Sequence, residues 1–121
     1  MTQHASLSPE RWAAFSRDQQ ILMIGNEMNR ASRLIRLADQ PGLLRAYERV
    51  LRLVDLTVEV QTGYALRREL LRWRDLIAEM FVSPELHPDQ HLAAFRALLQ
   101  LTPASAQQIP LLLSDSPTTT G

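Results

Sequence analysis

Apolar residues recur at intervals of three and four through most of this chain, the rhythm that gathers side chains on one face of an α-helix. Ile21, Ile24, Met28, Ala31, Ile35 and Ala38 form one such stripe. Leu44, Tyr47, Leu51, Val54 and Val58 form a second, and Leu66, Leu70, Trp73, Ile77 and Met80 a third. Leu92, Phe95, Leu98 and Leu99 continue the pattern. No stretch alternates with the period of two that a half-buried strand needs, and no internal repeat is visible. The pattern predicts an all-α chain.

Punctuation between the stripes sets the element boundaries. Ser8-Pro9-Glu10 starts a short first helix carrying Trp12 and Phe15, with a capping hydroxyl and with proline where its missing donor costs nothing. Ser16 and Gln19 have the spacing of a capping box, which opens a second helix reaching about Ala38. Asp39-Gln40-Pro41-Gly42 reads as a turn, followed by a third helix over 43–60. Gln61-Thr62-Gly63 breaks the chain again, and a fourth helix covers 64–82 until Ser83-Pro84. The fifth helix runs from Pro88 to about Leu101. A weaker helical stretch reaches Gln108, Ile109 to Leu113 form an apolar arm, and 114–121 reads as a disordered tail. Short connections favour antiparallel neighbours. The expected fold is an up-and-down antiparallel bundle of four main helices, with a short N-terminal helix and a short C-terminal arm, in one domain over 1–113.

Some helices are more apolar than a core stripe requires. On a wheel at about 100° per residue, Arg45, Glu48, Arg52, Asp55 and Glu59 share one polar arc of the third helix. Leu53, Leu56 and Val60 make a second apolar stripe there, running back to Arg49. Such a helix is either enclosed by neighbours or lends its spare stripe to another subunit. The second helix carries a mixed stripe of Met23, Glu27, Arg30, Leu34 and Leu37. Met23, Leu34, Leu37, Leu53, Leu56 and Val60 are therefore the candidate interface.

Three positions break the pattern in ways that bear on polar chemistry. Glu69 falls in the apolar arc between Leu66 and Trp73, whereas Leu71 lies on the charged side with Arg68 and Asp75. A carboxylate taken out of water needs a cation. Arg30 is the expected partner of Glu69 and Arg72 that of Glu27, so Glu27, Arg30, Glu69 and Arg72 form a candidate buried polar cluster that either sets helix register or lines a pocket. Gly25 costs about 1 kcal/mol relative to alanine inside a helix and is expected to let two helices approach closely.

Composition removes much of enzyme chemistry. Among 121 residues, 13 acids balance 13 basic residues, all arginine, and there is no cysteine. Schiff-base lysines, thiol nucleophiles, disulfides and thiolate metal sites are excluded. No Glu-x-x-His pair, nucleophile elbow or glycine-rich phosphate loop is present. His87 and His91 stand four apart, but Pro88 reads as a helix start that leaves His87 outside the helix, so no metal ligand set is assigned. Arg45, Arg49 and Arg52, and Arg67, Arg68, Arg72 and Arg74, could track phosphates. Acids interrupt both sets, and Glu48, Arg52 and Asp55 read as a solvated ion-pair ladder.

These features favour a non-enzymatic helical protein-interaction module that self-associates, as a homodimer first, through apolar helix faces, with the C-terminal arm open to a protein partner. The alternative is a small regulator contacting nucleic acid or a partner enzyme through the Arg-rich helix faces, although a chain of zero net charge is not drawn to nucleic acid. An enzyme with a pocket built on Glu27, Arg30 and Glu69 comes third. No cofactor is expected. The polar start, Met1 to Ser8, shows no targeting signal and no run is long enough to span a bilayer, so a cytoplasmic location is expected.

Overall fold

A computed structural model describes residues 7–83 and 85–113. The tail expected over 114–121 lies outside them. The described residues form seven helices and no strand: α1 (Pro9–Ala13), α2 (Arg17–Arg36), α3 (Gln40–Val60), α4 (Tyr64–Val82), α5 (Pro88–Leu99), α6 (Pro103–Ala106) and α7 (Ile109–Leu113). None is long and apolar enough to cross a membrane.

The caps act as the sequence predicts at the first two helices. Ser8 accepts from the Arg11 amide, and Ser16 and Gln19 close a reciprocal capping box. At α3 the expected turn is instead the first helical turn. Pro41 sits where a helix has no use for its missing N–H, and the Asp39 carboxylate caps the Gly42 amide at 3.0 Å. A Cβ at position 42 would stand 2.6 Å from that carboxylate, so the cap needs the glycine. Ala38 closes α2 with φ of 54°. The amide of Asp39 donates to Leu34 and that of Ala38 to Ile35, the paired bonds of a Schellman ending, with alanine in the position glycine usually takes.

Helices α2, α3, α4 and α5 form a ring, each against the next and α5 back against α2, with α1 laid on α3. Bonds between the helices establish the antiparallel sense: Arg74 of α4 reaches Asp55 of α3, while Arg67, one helical stretch earlier, reaches the Val58 carbonyl. Helix α3 is the central element. Its core side is Leu43, Ala46, Val50, Leu53 and Thr57 together with Tyr47 and Val54. Leu44, Leu51 and Val58 of the expected stripe are only half-buried. Contact with α1 and α2 on one flank and α4 on the other turns the helix, since each large apolar side chain fully buried contributes about 1.5–3 kcal/mol.

Polar groups that enter the core are paired. Trp12 Nε1 donates to Thr57 Oγ1 at 2.8 Å, and Thr57 donates to the Leu53 carbonyl. Trp73 Nε1 donates to the Ala94 carbonyl at 2.7 Å, which ties α4 to α5. Gly25 is buried where α2 meets α5, and a Cβ there would lie 3.3 Å from Leu99 Cδ2. Small size at position 25 sets that close approach. Along α5, Leu92 is exposed and His91 occupies the core position instead. At the C-terminal end, Ile109, Leu112 and Leu113 pack against the core while Leu111 faces outward.

Candidate functional site

His91, on the inner face of α5, is a polar group only 1% exposed. Its Nδ1 lies 2.8 Å from the Tyr47 hydroxyl. Its Nε2 lies 2.8 Å from Ser32 Oγ and 3.1 Å from the Met28 carbonyl. Ser32 itself donates to that carbonyl at 3.1 Å. A serine, a histidine and a hydroxyl in line resemble a nucleophile relay, but the carbonyl decides the protonation. Met28 O can only accept, so the ring proton sits on Nε2, which donates to the carbonyl and to Ser32 Oγ, while Nδ1 accepts from Tyr47. Nε2 therefore has no free lone pair with which to take the Ser32 proton. Burial lowers the His91 pKa to about 4, against a smaller opposing effect of the Met28 carbonyl, and burial raises that of Tyr47. Both rings stay neutral, and the arrangement joins α2, α3 and α5. Sequence reasoning placed His91 in a helix start; only its place one residue before the Leu92 stripe signalled a core position.

The charged cluster divides in two. Glu27 is buried and meets Arg49 of α3 at 3.0 Å, with Arg30 at 4.0 Å, rather than Arg72. Glu69 is solvent-facing, its side chain 53% exposed, and its nearest cation is Arg72 on the same helix at 3.9 Å. Arg30 and Glu69 are not paired. The reason is positional: Arg49 on the flank of α3 that faces α2 stands directly across from Glu27, while Glu69 lies at the edge of the α4 core stripe, where its carboxylate reaches water. His87 bonds Ser83 at 2.7 Å and is separate from the His91 network. Among the described residues no group of three or more acids and histidines is arranged around a metal position.

The expected interface stripes are largely used within the chain. Leu53 is fully buried, and Met23, Leu34, Leu56 and Val60 pack half-buried against the core. Leu37, at the end of α2, is the exception at 74% exposed. Besides Phe15, Leu76, Leu92 and Leu111, the large apolar side chains that stay open include a row on the outer side of α4. Tyr64 is 75% exposed, Leu71 48% and Val82 76%, and their spacing puts them on one face. Beside them a shallow groove of about 630 Å³ is lined by Tyr64, Arg67, Arg68, Leu71, Arg72, Arg74, Asp55 and Asp75. Arg74 Nε is held by Asp55 at 2.7 Å. The adjoining ladder on α3 does not close: Arg52 makes no ion pair with Glu48 or Asp55, and Arg68 and Asp75 likewise make no close ion pair among the described residues. The out-of-pattern leucine at 71 was the sequence signal for this face. Comparison of the chain with protein-family models, curated proteins and solved structures finds no match.

Proposed function

We propose that this chain is a non-enzymatic helical interaction module that self-associates, with the outer side of α3 and α4 as its contact surface. The observation that carries the reading is the exposed row of Tyr64, Leu71 and Val82 on one side of α4, large apolar side chains that the bundle leaves to solvent. Such a row bordered by charged groups has the make-up of an interface with an apolar centre and a polar rim. The polar groups best suited to chemistry, His91, Tyr47 and Ser32, are engaged with one another and favour a structural role. Light scattering across about 10 μM to about 1 mM, where a small helix-on-helix contact becomes populated, tests the reading. A mass rising towards two chains supports it, and a constant single-chain mass of 13.8 kDa overturns it.

The arginine groove favours a second reading, contact with an anionic partner such as a nucleic acid, since four arginines face two aspartates there. Arg74 is already bound to Asp55 and Arg67 to the Val58 carbonyl, which weakens it. Salt-dependent binding of single-stranded RNA or DNA, reduced by Arg68→Ala, would favour this reading over the first.

A further inference from the structure

The charges around the exposed apolar row repeat with a spacing that a second copy of the same chain can read. Arg68 and Asp75 are seven residues apart on α4, two turns along the same outer side, with Leu71 midway. Both are exposed and neither makes a close ion pair among the described residues, the charge of Asp75 acting only at longer range on Arg74. A two-fold axis crossing α4 at this midpoint and perpendicular to it lays a second α4 antiparallel on the first. Arg68 then faces Asp75 of the second copy, and Asp75 faces its Arg68, as an isologous contact requires. Leu71 lies within one residue of its own counterpart near the axis, and Tyr64 lies over Glu79 of the second copy.

Helix α3 carries the same arrangement independently. Arg52 and Glu59 are seven apart, exposed and unpaired among the described residues, with Asp55 and Leu56 between them. The Arg74 to Asp55 and Arg67 to Val58 bonds set the level of α3 against α4. They bring the midpoint of Arg52 and Glu59 level with that of Arg68 and Asp75. One axis therefore serves both helices, with the α4 charges on one flank of the apolar row and the α3 charges on the other. Parallel stacking about an axis along the helices would instead leave Arg68 opposite Arg68, a like-charge contact.

We infer that the occupant of this face is a second copy of the chain, docked antiparallel through α3 and α4 about a two-fold axis at Leu71, with Arg68 to Asp75 and Arg52 to Glu59 contacts setting the register. This rests on the self-association proposed above and adds its geometry. Surface charge pairs contribute little to affinity on their own, but reversing one sets like charges opposite each other twice in a symmetric dimer.

The test is a charge-swap set on the full chain, with dimer dissociation measured by sedimentation equilibrium and folding checked by circular dichroism. R68D and D75R alone should each weaken dimerisation by about tenfold or more, and the double swap R68D/D75R should recover most of the loss. Singles that weaken with no recovery in the double swap overturn the antiparallel register, as do singles that dimerise like the wild type. In both those outcomes self-association itself survives. A wild-type chain that stays monomeric overturns the register and the function it rests on together.

Discussion

The Tyr47 hydroxyl on α3 and His91 Nδ1 on α5 stand 2.8 Å apart with both side chains out of water. Burial keeps the imidazole neutral, and because Nε2 donates to the Met28 carbonyl, Nδ1 is the acceptor in that contact. In the unfolded chain histidine titrates near 6.5, and in the folded chain His91 titrates at about 4. Between those values the unfolded state binds a proton that the folded state refuses. The stabilising contribution is thus whole above pH 6.5, falls as pH drops towards 4 and levels off below it. The loss is on the order of 3 kcal/mol. Urea unfolding of the wild type and of His91→Gln at pH 7.5 and 4.5 measures it: the wild type should lose more stability than the variant over that range. Equal slopes would remove His91 as the source.

The two glutamates that look alike in the sequence should respond in opposite ways. Glu27→Gln removes the carboxylate charge from a buried position 3.0 Å from Arg49, and is expected to cost about 1–3 kcal/mol. Glu69→Gln changes a side chain already in water, and should stay within about 0.5 kcal/mol of wild type. Denaturant midpoints of the two variants, compared at pH 7, decide the matter, and a larger effect at Glu69 would contradict the assignment.

The closing turn of α2 offers a stabilising change. Ala38 holds φ at 54°, where an L-residue with a Cβ is disfavoured by about 1–2 kcal/mol and glycine is not. Ala38→Gly should raise stability by up to about 1 kcal/mol, visible as a higher melting temperature, because the strain relieved outweighs the extra freedom of the unfolded chain. A lower melting temperature would show that the backbone there is less strained than its angle implies.

What could be read from the sequence divides along physical lines. The four main helices, the α4 core face, most of the α2 face and the caps at Ser8 and Ser16 follow from spacing alone, and the structure bears them out, whereas the expected apolar arm over 109–113 is the helix α7 and Ala38 is exposed beyond the end of α2. The rotation of α3 does not, because it depends on how many neighbours a helix has, which a wheel cannot show. Its supposed spare leucine, Leu53, is core. The partner of Glu27 was missed for the same reason: several arginines satisfy the pattern, and only the packing of α2 on α3 selects Arg49. Leu71 among charges was legible as an anomaly, but its meaning required knowing that no other helix among the described residues covers Leu71 on that side of α4.

Because the chain has no cysteine, each single-cysteine variant carries one thiol. Leu71→Cys puts it at the inferred two-fold axis, whereas Leu37→Cys and Leu111→Cys put it at positions that are more exposed but remote from that axis. Random collision would favour the two exposed sites. Docking about that axis gives the reverse: under mild oxidation at a concentration where the wild type self-associates, Leu71→Cys forms the disulfide-linked dimer fastest. Faster linking at Leu37 or Leu111, with Leu71 left as monomer, would contradict it.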